Sequence, residues 1–171
     1  MEGASRKAIW IIKILALSGA RRGEIVQLKW SEVSFDQSSL YFDDSKTGQK
    51  TIPVSTEVVT LLKEVWSERD TKSSFVFPNA SGNSPYVGTP KVWTELRRRF
   101  GDDKLRLHDL RHTFASLAVA GGASLPMIGA LLGHKDATTT QQYAHLTDDP
   151  LRSISEQISA KILAGLNERK P

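Results

Sequence analysis

Apolar residues recur at helical spacing along most of the chain. Between Ser5 and Leu17 they return every three or four positions, which predicts a helix buried on most sides. After the break at Ser18-Gly19, a short helix is expected from about Arg22 to Leu28. Further helices are predicted over Thr56 to Trp66, Lys91 to Phe100, His108 to Ala120, Leu125 to Leu132 and Leu151 to Leu166. Helices therefore dominate the predicted fold.

Two local signals mark helix ends. Thr89 followed by Pro90 is typical of a cap and a first helical position, so the helix after this pair should begin there. Gly133 directly follows Leu132 and is well placed to end a helix in the left-handed conformation. A turn or two of helix is expected after the threonine run from Thr138 to Thr140.

Short extended segments lie between the second and third helices. They run over Val33 to Phe35, Leu40 to Phe42 and Thr51 to Val54, with polar or turn-like residues between them. Another brief extended piece is expected from Phe75 to Pro78, followed by an exposed loop over residues 79–88. The pattern predicts a mainly α fold, formally α+β, with one small antiparallel sheet near the N-terminal part.

Composition indicates one domain. The chain has 171 residues, enough for a single hydrophobic core, and we expect residues 1–171 to form one domain with residues 150–171 as a C-terminal helix or tail. No apolar run is long enough to span a membrane, and the start does not read as a signal peptide. There are no cysteines, which excludes disulfides and thiolate chemistry and fits a cytoplasmic protein.

Positive charge is concentrated in two regions, although the net charge is only +4. A basic surface of this kind is typical of proteins that bind a polyanion such as nucleic acid. A solvated helix face is an equally good explanation for the isolated run Arg97 to Arg99. The two groups are Arg6, Lys7, Lys13, Arg21, Arg22 and Lys29, and Lys91, Arg97, Arg98, Arg99, Lys104, Arg106 and Arg111.

Six polar residues, far apart in the chain, fit one reaction when considered together. Two guanidiniums, an ammonium and two imidazoles would form a cationic pocket around one phenol, which suits covalent attack on a phosphodiester. His108 and Arg111 are three residues apart on one helix, so both project from the same face. The six are Arg21, Lys46, His108, Arg111, His134 and Tyr143.

Each of these residues also has an ordinary structural explanation. Arg21 could pair with Glu24, Lys46 could be a solubilising charge on a hairpin, and Tyr143 and His134 could serve packing and helix capping. His112 points away from Arg111 and is interpreted as structural or partly exposed. No metal site is expected, because the His108–His112 spacing has an arginine where a carboxylate would be needed.

Five segments in order carry a family resemblance. They are Ser-Gly-Ala-Arg-Arg-Gly-Glu-Ile, Ser-Lys-Thr-Gly before a strand, Leu-His-Asp-Leu-Arg-His-Thr-Phe-Ala-Ser, Leu-Leu-Gly-His-Lys and Thr-Thr-Gln-Gln-Tyr-Ala-His-Leu. Together they resemble the tyrosine recombinases, in particular those of the phage-integrase type. The resemblance extends from about Ala8 to Leu146 and is most specific in the last two segments.

The resemblance implies a helical catalytic domain that cuts and rejoins DNA through a 3′-phosphotyrosine, without metal, ATP or another cofactor. Arg21 and Arg111 would grip the scissile phosphate, His108 would assist proton transfer from Tyr143, and Lys46 would protonate the leaving 5′ oxygen. His134 would hydrogen-bond the phosphate, and Glu24 would support the arginine.

The same resemblance sets expectations about assembly. The partner would be double-stranded DNA, bound by four copies, with the isolated domain monomeric and no membrane or small-molecule substrate. An N-terminal DNA-clamping domain, usual in these enzymes, is absent from this chain, and the C-terminal helix could pack on its own core or on a neighbouring copy. A type IB topoisomerase and a non-catalytic DNA-binding relative stay as alternatives.

Overall fold

The computed structural model describes residues 4–42, 49–133 and 140. The elements in these residues confirm the expected mainly helical fold with one small sheet. The predicted helix from Leu151 to Leu166 lies outside the described residues. In chain order the elements are α1 (Ala4–Ser18), α2 (Arg22–Gln27), β1 (Val33–Ser34), β2 (Ser39–Phe42), β3 (Lys50–Pro53), α3 (Thr56–Ser67), α4 (Thr89–Arg99), α5 (Asp109–Ala120) and α6 (Leu125–Leu132).

The three strands form an antiparallel sheet in the order β1-β2-β3. In its register, Leu40 lies opposite Ile52 and Phe42 lies opposite Lys50. Leu40, Phe42 and Ile52 are buried, because alternate side chains of a strand point to the same face. Lys50 therefore begins its strand on the face that is directed toward the core.

Helix α1 is the centre of the packing, since it contacts α2, α3, α4 and α5. Its residues Ile11 and Ile14 are fully buried in a core that also contains Leu28, Leu40 and Phe77. A second, smaller cluster of buried apolar residues joins α5 to α6. The sheet and the α1–α2 turn thus lie on the same continuous core as α1 and α3.

Two details of the sequence-based prediction have different outcomes. The segment from Phe75 to Pro78 makes isolated bridges to Lys29 and Pro85, as expected for a short extended piece. The prediction that Thr89 caps α4 is wrong, because the helix already includes Thr89 and its cap residue is Gly88. Thr89 is only 1% exposed, so its side chain packs inside the protein and makes no capping bond.

None of the helices within the described residues combines the length and the apolar character needed to cross a bilayer.

The turn between α1 and α2 requires a glycine. Gly19 has φ of 63°, a conformation that other residues adopt only with strain. A methyl group added at Gly19 would lie 2.5 Å from Cδ1 of Phe114 and 2.9 Å from Cδ2 of Leu132. The turn therefore packs directly against α5 and α6, which brings Arg21 close to both helices.

We predict that Gly19→Ala lowers the free energy of unfolding by about 1–3 kcal/mol, because it adds both backbone strain and overlap with Phe114. Urea denaturation measures the change. Gly23→Ala is the matched control, since Gly23 lies in α2 with nothing within 4 Å of the added methyl group. The control should be stabilising by up to about 1 kcal/mol. Equal effects of the two substitutions would contradict this account of the turn.

Candidate active site

Glu24 holds Arg21 at the start of α2. One carboxylate oxygen of Glu24 accepts a hydrogen bond from the Arg21 backbone N–H at 2.9 Å, and the other accepts one from Arg21 Nη1 at 3.1 Å. The Glu24 side chain is only 8% exposed, whereas that of Arg21 is 34% exposed. The ion pair considered as the ordinary explanation for Arg21 therefore exists, and it leaves the guanidinium partly open to solvent.

Arg111 is a buried cation that joins three segments. It is 4% exposed, and it donates from Nη1 to the carbonyl oxygen of Gly19 at 2.6 Å and from Nη2 to that of Leu132 at 3.0 Å. These two bonds set the plane of the guanidinium, which has five N–H donors in a rigid fork. Because Gly19 precedes Arg21 by two residues, these bonds bring Arg111 and Arg21 to one region of the protein. This region around the two predicted arginines is called the corner.

His108 and Arg111 line one pocket, as their spacing predicts. The pocket has a volume of about 230 Å³, and its other lining residues are Leu15, Ala20, Arg22 and Leu107. Arg22 is a basic residue that the sequence reasoning did not include among the site residues. The ring of His112, interpreted as structural, is half-buried and lies edge-on to the His108 ring at 4.9 Å between centroids.

The surroundings of His108 favour its neutral form. Partial burial lowers the pKa of His108 below the ordinary value of 6.5, and the positive charges of His112, Arg111 and Arg106 lower it further. The nearby carboxylate of Asp109 offsets part of this effect. At neutral pH the imidazole is therefore mostly unprotonated and able to accept a proton.

Lys50 is the residue of this corner that sequence reasoning missed. Its Nζ lies 2.6 Å from Oε1 of Glu24, and its side chain is only 6% exposed. Nζ also lies 5.2 Å from the centre of the Phe42 ring on the neighbouring strand. The signal that could have found it is strand alternation, because Lys50 lies two residues before the buried Ile52 and so shares its face.

The stem of Lys50 packs against the end of α6. Gly133 ends this helix in the left-handed conformation, as predicted, with φ of 65°. A methyl group added at Gly133 would lie 2.7 Å from Cδ of Lys50, so the glycine allows the close approach. Arg111 bonds to the preceding carbonyl, that of Leu132, and two cations therefore meet the C-terminal end of α6. This end of a helix attracts positive charge.

The charges of this corner act on each other. Burial alone would raise the pKa of Glu24, but its contacts with Lys50 and Arg21 dominate and lower that pKa below the ordinary 4.5. Burial lowers the pKa of Lys50 below 10.5, the Glu24 carboxylate offsets part of this, and the charges of Arg21 and Arg111 lower it further. Both guanidiniums are thus close enough to Lys50 to affect its proton affinity.

Three of the six predicted site residues, Lys46, His134 and Tyr143, lie outside the described residues. Lys46 belongs to the segment between β2 and β3, and His134 directly follows Gly133. Tyr143 comes three residues after Thr140, which is buried with its Oγ1 close to Gly129 of α6. Within the described part of the chain, no three His, Asp or Glu side chains lie together as a metal site would require.

The amino-acid pattern of the phage integrase family matches residues 2–149. The chain belongs to this family. Phage integrase relatives include the tyrosine recombinase XerC of Erythrobacter litoralis, which is 31% identical over 163 residues covering 94% of this chain and 50% of the relative. The tyrosine recombinase XerA of Thermococcus onnurineus is 28% identical, over 93% of this chain and 57% of that protein. The chain therefore spans about half the length of these relatives.

Solved structures share the fold. The crystal structure of XerA recombinase has a TM-score of 0.66 and 26% identity, covering 89% of this chain and 62% of that one. The catalytic domain of bacteriophage HP1 integrase has a TM-score of 0.60 and 26% identity, covering 86% of this chain and 79% of that domain. These likenesses confirm the fold expected from the sequence, that of a phage integrase catalytic domain.

We predict that Glu24→Gln lowers the free energy of unfolding by on the order of 3 kcal/mol at neutral pH, because it leaves the buried Lys50 ammonium without its anion. Thermal or urea denaturation measures the loss. Glu32→Gln is the control, since Glu32 accepts a bond from the Lys29 backbone N–H in the same three-residue arrangement on the surface. That change should cost about 1 kcal/mol or less.

The difference in unfolding free energy between wild type and Glu24→Gln should depend on pH, because the pKa of Glu24 is lowered in the folded state. The stabilisation is fully present above the ordinary value of 4.5 and is lost as the pH falls through the lower pKa of the folded state. The difference in unfolding free energy between wild type and Glu24→Gln should therefore become smaller only below pH 4.5. A gap that stays constant down to acid unfolding would show that the charge of Glu24 is not what stabilises the corner.

Proposed function

We propose that this chain is the catalytic domain of a site-specific DNA recombinase that works through a 3′-phosphotyrosyl intermediate. The observation that carries the proposal is the convergence of Arg21, Arg111 and the His108 pocket at one corner of a phage integrase fold. Residues 1–171 act as one catalytic domain in this proposal. Its DNA affinity rests mostly on phosphate contacts and falls with salt.

The reaction exchanges one phosphodiester for another. The phenol oxygen of Tyr143 attacks the scissile phosphorus, its bond to the 3′ phosphate forms, and the bond to the 5′ oxygen breaks. His108 takes the phenol proton, which the neutral state of its imidazole allows. Lys46 gives a proton to the departing 5′ oxygen. A 5′ hydroxyl from another strand then attacks the phosphotyrosine, which restores the diester and the free tyrosine.

The cations supply what phosphoryl transfer needs most, which is positioning and charge stabilisation. Arg111 lies in a plane set by its bonds to two carbonyls, and Arg21 is held by Glu24, so neither guanidinium has to reorganise when the phosphate arrives. His134 completes the set as a donor to a phosphate oxygen. Because the bond energy is kept in the phosphotyrosine, the reaction needs no ATP, and in this proposal the cationic side chains supply the charge stabilisation that a metal ion would otherwise give.

The assembly follows from the number of strands. Exchange between two duplexes requires four strand cleavages, and each catalytic domain has one Tyr143. We therefore propose that four copies act together on double-stranded DNA. In this proposal duplex DNA is the only substrate, and no small molecule takes part in the reaction.

We predict that the wild-type chain forms a covalent protein–DNA adduct with nicked duplexes, because loss of the short fragment beside the nick prevents religation. Tyr143→Phe should form none, since it lacks the attacking oxygen. A pool of nicked duplexes with random sequence serves as substrate, and denaturing electrophoresis followed by sequencing identifies the captured sites. Adduct formation should persist in excess chelator. Equal yields of adduct from wild type and Tyr143→Phe would contradict the proposal. A failure of both proteins to form any adduct would contradict it as well.

The captured sites can then be used to distinguish a recombinase, which exchanges strands between sites, from a topoisomerase, which relaxes supercoiled DNA. A plasmid with two captured sites should yield exchanged products, whereas a topoisomerase would only remove its supercoils.

Arg21→Lys and Arg111→Lys should each slow cleavage on the order of 100-fold, because a point charge cannot reproduce the two-pronged grip on phosphate oxygens. Single-turnover cleavage of a captured site measures the rate below the melting temperature of each variant. Arg6→Lys is the matched control, since Arg6 pairs with Glu68 on the surface with 57% of its side chain exposed. Near-normal rates for both site variants would assign these arginines to folding alone.

A further inference from the structure

Lys50 occupies a position that none of the proposed reaction steps uses. It is a lysine with 6% of its side chain exposed, set among two guanidiniums and one carboxylate. Burying an ammonium costs several kcal/mol unless a partner offsets it. Its ion pair with Glu24 supplies that partner, and the same carboxylate holds Arg21 through two hydrogen bonds. Lys50 and Arg21 are thus coupled through Glu24.

We propose that Lys50 is a positioning residue for strand transfer, which holds Glu24 against Arg21 and holds the end of α6 that leads to His134. The proposal rests on the function proposed above and adds a task to a residue outside the predicted set. Two groups of contacts carry it, one through the ammonium and one through the aliphatic stem.

The ammonium decides where the Glu24 carboxylate points. Oε1 of Glu24 lies between Nζ of Lys50 at 2.6 Å and Nη1 of Arg21 at 3.1 Å, so one oxygen joins both cations. Without Lys50, a carboxylate buried to 8% exposure would lose its shortest ionic contact. It would then gain a proton more readily or turn toward water, and in either state Arg21 would be held less firmly.

The charges of this group suit an anionic substrate. Arg21, Arg111, Lys50 and Glu24 together are three cations and one carboxylate, with a net charge of +2. Arg22, which lines the His108 pocket, adds to this positive charge. The ion pair of Lys50 thus neutralises Glu24, so that the carboxylate does not repel the phosphate that the guanidiniums attract.

The stem connects the sheet to the helix end. Cδ of Lys50 lies 2.7 Å from the position that a Cβ at Gly133 would take, and Nζ lies 3.1 Å from the same position. His134 is the next residue in the chain. Lys50 therefore links strand β3 to the start of the segment that supplies another proposed phosphate ligand.

Lys50 and Lys46 have different tasks in this proposal. The proton of Lys50 faces a carboxylate inside the protein, whereas a proton donor must reach the departing 5′ oxygen. A substrate with sulfur in place of that bridging oxygen separates the two tasks, because a thiolate leaves without protonation. A defect in proton donation is corrected by sulfur, and a defect in phosphate positioning is not.

The experiment measures single-turnover cleavage of an oxygen and a sulfur version of one captured site. Lys50→Met should be slower on both substrates by the same factor, up to about 100-fold, with the dissociation constant for DNA changed less than the rate. Lys46→Ala should be slow on oxygen and close to wild type on sulfur. Lys63→Met, at an exposed position of α3, should match wild type on both.

Two further variants keep the test valid if Lys50→Met folds poorly. Lys50→Arg keeps the charge opposite Glu24 and should recover part of the rate. The double variant Glu24→Gln/Lys50→Met removes both charges, and its rate should be no lower than that of the slower single variant, because the pair acts as one unit. Additive losses in the double variant would contradict the proposal.

Recovery of Lys50→Met by the sulfur substrate would make Lys50 the proton donor and overturn the positioning role. A wild-type rate for Lys50→Met on oxygen would overturn it as well. Failure of the wild-type chain to form an adduct is a different result, because it would contradict the proposed function before Lys50 is tested.

Discussion

The arrangement of the candidate site depends on one buried carboxylate surrounded by cations. Glu24 contacts Arg21 and Lys50 directly, and the charge of Arg111 is close enough to act on Lys50. Three positive charges in one corner repel each other, and the repulsion grows when burial removes the screening of water. The Glu24 carboxylate inside the group reduces this cost and at the same time fixes the direction of Arg21 and Lys50.

Backbone carbonyls provide the second constraint on the corner. Arg111 bonds to the carbonyl of Gly19, the residue that follows α1, and to that of Leu132, the last residue of α6. Helix ends have carbonyls without partners inside the helix, so they are natural acceptors for a buried guanidinium. The same side chain thus satisfies two helix termini, supports the turn before Arg21 and presents a cation to the His108 pocket. Folding and the proposed chemistry therefore use the same bonds.

Much of this corner could be predicted from local pattern. The three-residue spacing of His108 and Arg111 spans the start of α5, whose cap residue is His108, and these two residues line one pocket as expected. Gly133 follows the last apolar position of its helix, and it has the left-handed conformation that ends a helix. Thr89 differs, because its neighbour Pro90 predicts a cap, whereas Thr89 lies inside the helix and is buried.

The sequence by itself determined the element order, the helix faces and the types of residue available for phosphate chemistry, since these depend on spacings of three, four and two residues. Only the tertiary structure decided that Lys50 turns inward to Glu24 and that Arg22 lines the His108 pocket. Strand alternation places Lys50 on the same face as Ile52, but a long charged side chain at the start of a strand can reach either solvent or a buried anion, and local sequence does not choose between these. The choice depends on a carboxylate and a helix end that come from separate parts of the chain.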